Sequence, residues 1–194
     1  DNFSNSSPLA LKKVTELSKL PTIEIEEKLN LFNGDIRDIS LIDKIFSTAE
    51  KQGEAIKAVI HFAGLKAVGE SIEQPLKYWD INVIGSKTLL EAMENNNCKT
   101  IVFSSSATVY GNSTQKPLKE TDPISPISPY GSSKAAIEML LSDIAGCSAN
   151  LCPHQTSKRG WRIARLRYFN PAGAHSSGKI GENPISTPNN LFPL

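Results

Sequence analysis

Four short apolar runs, each closed by a polar cluster and separated from the next by helix-patterned sequence, constrain this chain more than any other feature. Lys28–Asn33 alternates briefly and stops at Gly34-Asp35, whereas Ala55–Phe62 and Thr100–Phe103 are nearly unbroken apolar runs of the kind buried on both faces of a sheet. Trp161–Phe169 alternates again before Asn170-Pro171. Between the runs, Ile39, Leu41, Ile42, Ile45 and Phe46 mark one amphipathic helix, and Pro75 to Asn96 a longer one containing Trp79, Asn82 and Leu89-Leu90. An earlier helix over Pro8–Leu20 is stopped by Pro21. Connections this long suit parallel strands and not hairpins, so the pattern predicts an α/β fold with a parallel sheet. Ligands of such sheets bind beyond the carboxyl ends of the strands. Gly34-Asp35, Ala63-Gly64, Ser104–Ser106 and Tyr168–Asn170 all fall there and are expected to line a site.

The stretch Ser128-Pro129-Tyr130-Gly131-Ser132-Ser133-Lys134 opens a further helix, with Ser128 as cap and Pro129 at the first helical position. Residues four apart share a helix face, which directs Tyr130 and Lys134 into one space. A phenol titrates near pH 10, and a neighbouring ammonium lowers that value, so the pair reads as a tuned general acid or base. The plainer alternative is a surface tyrosine and lysine on an amphipathic helix. By the same standard Asn82 reads equally as a tie between two loops, Trp79 as packing and His61 as a satisfied strand residue.

Composition narrows the class. A net charge of +1 with no basic block argues against nucleic acid. No apolar run approaches the roughly 18 residues of a membrane helix, and there is no signal-peptide pattern. Three cysteines without staple-like spacing are expected to be reduced thiols of a cytoplasmic protein. Cys147, Cys152 and His154 lie close together but lack a fourth ligand, so no metal site is expected. The chain starts at Asp1 and stops abruptly at Leu194, which suggests a fragment.

Four stretches carry a family resemblance: His61–Ser71, Phe103–Gly111, Ser128–Lys134 and Leu166–His175. Together they resemble the UDP-glucose 4-epimerase family of the extended short-chain dehydrogenase/reductase superfamily. The resemblance implies a partial Rossmann-type doubly wound sheet, with an incomplete NAD-binding domain over 1–175 and the start of a substrate-binding region over 176–194. It also implies NAD as cofactor, a UDP-sugar as substrate and a homodimeric parent paired through the helices at Pro75–Asn96 and Tyr130–Ala145.

Residue by residue, the resemblance makes Tyr130 the group that exchanges the sugar 4-hydroxyl proton and gives Ser106 a short hydrogen bond to that oxygen. Lys134 would bind the nicotinamide ribose and help depress the tyrosine. Cofactor contacts would come from Asp1, Asn2, Asp35, Ile36, Phe62, Ala63, Gly64, Lys66, Asn82, Ser104 and Tyr168, with Tyr130 and Lys134. Lys66, Ser106, Tyr130, Asn170, Asn189, Asn190 and Leu191 would hold the substrate.

The family's glycine-rich strand-turn-helix would precede Asp1. If the family strand order applies, the run at 28–33 is the third strand and that at 55–62 the fourth, with a gap between them and two exposed edges. In the loop 182–188, Asn183 and Ser186 stand where the family has Asp and Gly. Two other readings compete: a non-enzymatic remnant unable to hold NAD, and a nucleotide-sugar dehydratase. Dehydratases of the superfamily carry a Thr-Asp-Glu run where this chain has Ser105-Ser106-Ala107.

Overall fold

In the computed structural model, which describes residues 1–18, 21, 25, 29–114, 117–146 and 159–181, three of the four apolar runs pair as one parallel sheet. In chain order the elements are α1 (Leu9–Ser18), α2 (Ile39–Lys51), β1 (Val59–His61), α3 (Val68–Glu73), α4 (Pro75–Tyr78), a π-helical turn (Trp79–Ile84), α5 (Gly85–Asn95), β2 (Thr100–Ser106), a 3-10 turn (Ala107–Tyr110), α6 (Pro129–Ala145) and β3 (Arg162–Tyr168). The strands lie in the order β1-β2-β3, with Ile60 opposite Val102 and Ser106 opposite Tyr168. The chain forms two compact units, Ile36–Phe169 and a second made of residues 1–35 with 170–194.

Within Ile36–Phe169 two helices, α2 and α6, start on side-chain caps. Asp38 accepts a hydrogen bond from the Leu41 amide at the head of α2, and Ser128 one from the Gly131 amide at the head of α6. Gly146 closes α6 in the left-handed conformation. Ile42 and Phe46 of α2, Leu89, Leu90 and Met93 of α5, and Ile137 and Leu141 of α6 bury against Ile101 and Phe103 of β2. Because side chains alternate along a strand, the even positions point to the other face. There Ile60 is 66% exposed, and Leu166 and Tyr168 are also exposed. The run at 55–62 is therefore covered on one face only, against the expectation of two. It pairs over three residues, with β2 as its one neighbour among the described residues.

The long helix over 75–96 forms, but with a π-turn within it, and a short helix, α3, precedes it from Val68. Among the described residues no helix is long and apolar enough to cross a membrane, and no group of three or more His, Cys, Asp or Glu could hold a metal ion.

In the other unit the expected strand is not formed: Leu29–Asn33 carries no strand pairing, and Lys28 lies outside the described residues. The Asp1 amine donates to the Phe32 carbonyl at 3.1 Å, and the Gly34 amide donates to the Asp1 carbonyl at 3.0 Å. That is the pattern of one parallel rung opposite Asn33, and one rung is too little to make a strand. The apolar stripe of α1 is not buried, and Leu9 and Val14 are exposed.

Candidate active site

Two close approaches bring the Ser128–Lys134 stretch against the end of β2. A Cβ at Gly131 would lie 2.9 Å from the Thr108 carbonyl and 3.1 Å from Pro126 Cβ, so only glycine lets the first turn of α6 rest on the 3-10 turn. Ser106, the last residue of β2, caps that turn by accepting from the Thr108 amide at 3.2 Å and the Thr108 hydroxyl at 2.9 Å. With both lone pairs used, its single proton is left for the hydrogen bond it makes to the Tyr130 phenol. Both side chains are buried.

Lys134 lies one turn further along α6 and is also buried. Its ammonium donates to the Ser104 carbonyl at 2.8 Å and sits 4.9 Å from the Phe103 ring centroid and 5.9 Å from that of Tyr130. Burial pulls its pKa down to about 8. Tyr130 moves the opposite way from the sequence expectation. Burial pushes the phenol up, and the hydrogen bond from Ser106 recovers only part of the shift.

A second wall stands behind Tyr130. The fully buried Tyr78 packs edge-on against it, ring centroids 6.4 Å apart, and shares its hydroxyl proton between the Ala67 carbonyl at 2.7 Å and Glu70 Oε2 at 2.8 Å. Burial and the Glu70 carboxylate both hold this phenol well above its usual range, and the Lys77 ammonium, 2.7 Å from Glu70, draws Glu70 downward. Asn82 accepts from the Leu65 amide at 2.8 Å, and its Nδ2 donates to the Leu65 carbonyl at 3.0 Å and the Ser133 hydroxyl at 3.1 Å. It therefore does tie the loop after β1 to α6. Gly64, at φ +151°, is required beneath it, since a Cβ there would lie 2.9 Å from Asn82 Oδ1. Tyr78 and Asn82 reach this loop from either side of the start of the π-turn, a local widening common at functional sites.

His61 is the satisfied strand residue that the sequence allowed for. Ser86 donates its proton to the Asn82 carbonyl at 2.5 Å, so His61 donates to Ser86 from Nε2 at 2.8 Å. Burial first, and then the Lys134 charge, pull its pKa down to about 4. Trp79, read as packing, is 41% exposed.

The other expected contacts differ in exposure. Phe62, Ala63 and Lys66 are exposed beyond β1, Ser104 is half-buried, and Tyr168 is exposed as the register partner of Ser106. Ile36 is half-buried and packs on Gly85 and the core. In the second unit Asn2 donates to Asp35 at 3.2 Å, and Asp1 accepts from the Phe3 amide at 2.7 Å and the Ser6 hydroxyl at 2.8 Å. Asn170 is exposed there. Asn189, Asn190 and Leu191, the loop 182–188, and Cys147, Cys152 and His154 lie outside the described residues.

Sequence reading missed Tyr78, Thr108 and the buried pair of Glu138 and Arg167 behind Ser105. Two signals were available for the pair. Glu138 follows Lys134 by four residues on one helix face, and Arg167 interrupts the apolar alternation of β3.

Residues 2–163 match the family described as GDP-mannose 4,6 dehydratase. UDP-glucose 4-epimerase 2 of Arabidopsis thaliana is 46% identical over 193 residues, covering 100% of this chain and 50% of that protein. The UDP-glucose 4-epimerase of Bacillus subtilis (strain 168) is 45% identical over 193 residues with the same coverage. The crystal structure of UDP-glucose 4-epimerase from Bifidobacterium longum in complex with NAD+ and UDP superimposes with a TM-score of 0.84 at 41% identity, over 100% of this chain and 51% of that one. The chain thus spans about half the length of the curated relatives it matches. The sheet is of the Rossmann type, and the chain belongs to the GDP-mannose 4,6 dehydratase family, being homologous over its whole length to the UDP-glucose 4-epimerases.

Proposed function

We propose that the protein is an NAD-dependent isomerase of carbohydrate metabolism that interconverts UDP-glucose and UDP-galactose. The observation that carries this reading is the convergence of Ser106, Tyr130 and Lys134 at the carboxyl end of β2. Bound NAD would supply reversible hydride acceptance at sugar C4. Tyr130 takes the proton of the 4-hydroxyl as C4 is oxidised and returns it once the keto sugar has turned over. Ser106 turns the proton that faces the phenol in the free site toward the same sugar oxygen. These residues fit the cofactor: an ammonium carries three donors and the Ser104 carbonyl takes one, which suits Lys134 to ribose hydroxyls. A cation brought near Tyr130 would reverse the upward shift that burial imposes.

Asp1, Asn2, Asp35, Ile36, Phe62, Ala63, Gly64, Lys66, Ser104 and Tyr168 complete the proposed cofactor set, and Asn82 acts through the loop it holds. Asn170, Asn189, Asn190 and Leu191 join Lys66 in holding the UDP-sugar. In this reading residues 1–175 belong to the NAD-binding domain and 176–194 begin the substrate region. The full-length protein is cytoplasmic and pairs through the helices carrying Leu76, which is 82% exposed, and Met139, which is also exposed.

The family match keeps a dehydratase in view. Ser105, Ser106 and Ala107 offer no carboxyl group for acid-base elimination of water, which ranks that reading second. The test is turnover of UDP-galactose by the NAD-loaded chain beside a Tyr130→Phe control. We expect conversion to UDP-glucose that falls by about 10²–10⁴-fold in the variant. A folded chain that ignores NAD in calorimetry would instead favour the non-enzymatic reading, and conversion that survives in Tyr130→Phe would remove Tyr130 from the mechanism.

A further inference from the structure

One ion pair, Glu138 with Arg167, joins every element that carries the Ser106–Tyr130–Lys134 site. Glu138 is 1% exposed. It accepts from the Ser105 hydroxyl at 2.5 Å, from Arg167 Nε at 3.0 and 3.2 Å, and from Arg167 Nη2 at 2.7 Å. Arg167 Nη1 donates to the Tyr110 hydroxyl at 2.7 Å and the Glu120 carbonyl at 3.0 Å, and its guanidinium lies 5.0 Å from the Tyr110 ring centroid. The pair thus binds the end of β2, the 3-10 turn, the loop that follows it, α6 and β3 at one point. Ser105 and Arg167 are register partners, and the next pair along is Ser106 and Tyr168. On α6, Glu138 lies one turn beyond Lys134 and two beyond Tyr130.

We propose that Glu138, neutralised by Arg167, is a positioning residue. By holding the Ser105 hydroxyl against α6, it sets where the neighbouring Ser106 hydroxyl meets the Tyr130 phenol. The inference rests on the proposed role of Ser106 and Tyr130 but not on which sugar is turned over. Its logic is that of alternation: with Ser105 pinned to α6, the strand has no freedom to roll, so Ser106 is presented in one orientation. Thr108 holds Ser106 Oγ from the other side, and the Ser106 proton is left a single direction.

The test uses the whole chain with both charges removed, Glu138→Leu with Arg167→Met, because deleting only one would strand a buried charge. The readout is Tyr130 ionisation, taken as the difference in phenolate absorbance between the double variant and the same variant carrying Tyr130→Phe. Positioning predicts a folded protein, by circular dichroism, in which Tyr130 titrates at higher pH as about a tenfold weaker acid, because the Ser106 hydrogen bond that stabilises the phenolate is lost. In the NAD-loaded protein, kcat then falls by about 10–100-fold with KM held within about twofold. An unchanged Tyr130 titration in a folded double variant overturns the proposal. If the double variant does not fold, Ser105→Ala decides: it removes one hydrogen bond, keeps the ion pair, and must shift the Tyr130 titration in the same direction or the proposal fails. The titration needs no turnover, so a shifted titration in a chain without epimerase activity would sink the functional reading and leave the positioning role standing.

Discussion

Lys134 shows at the scale of one residue how the site trades stability for chemistry. Its ammonium is buried, and its pKa falls from 10.5 to about 8. The unfolded chain binds this proton more tightly, so the group contributes stability above about pH 10.5 that is lost as pH falls toward 8. At pH 7 the buried charge therefore costs on the order of 3 kcal/mol. Lys134→Met should raise the melting temperature at pH 7 by several degrees while abolishing turnover, and the gain should shrink as pH rises past 8. Melting curves at pH 7 and pH 10 check this, and a variant less stable than the parent at pH 7 would contradict it. Tyr130 carries a related lesson. The Tyr-x-x-x-Lys spacing was legible in the sequence, but the direction of the phenol shift was not, because burial is a property of the packed site and not of the spacing.

At the scale of elements, the cap at Ser128 was plain in the sequence because a cap is a local hydrogen bond, here to the amide three residues on; Asp38 caps α2 in the same way but was not read from sequence. The strands were legible in part. The runs at 100–103 and 161–169 formed strands, the first continuing through Ser104–Ser106 by pairing with β3, whereas the run at 28–33 did not, since a strand exists only through a partner and Asp1 offers one rung. The π-turn was invisible because its cause is tertiary, the need for Tyr78 and Asn82 to serve one loop. Gly131 ties these elements to the chemistry. A methyl group there would press on the Thr108 carbonyl and part α6 from the 3-10 turn. Gly131→Ala should lower the urea midpoint by an amount equivalent to about 1–3 kcal/mol, overpacking outweighing the smaller gain in helix propensity. An unchanged or higher midpoint would show that the contact yields.

For the whole molecule, fold class was readable from the order of strands and helices, and the family from its resemblance over 61–71, 103–111, 128–134 and 166–175; the three-stranded parallel sheet and the matched epimerases agree with both. The exposed face at Ile60, Leu166 and Tyr168 was not readable, because an apolar run looks the same whether one face or two are covered. The site that was legible lies within Ile36–Phe169 and is held by bonds within that unit, among them Asn82 to Leu65 and Ser133, Lys134 to Ser104, and Glu138 to Arg167. In the proposed reaction Ser106, Tyr130 and Lys134 serve oxidation and reduction at one and the same sugar carbon. The most direct measurement is the fate of deuterium placed at C4 of UDP-galactose and followed by NMR in the presence of the NAD-loaded protein. The account predicts UDP-glucose with the label still on C4. Label transferred to C6 of a dehydrated keto sugar, or no conversion by a protein that binds NAD, would contradict it.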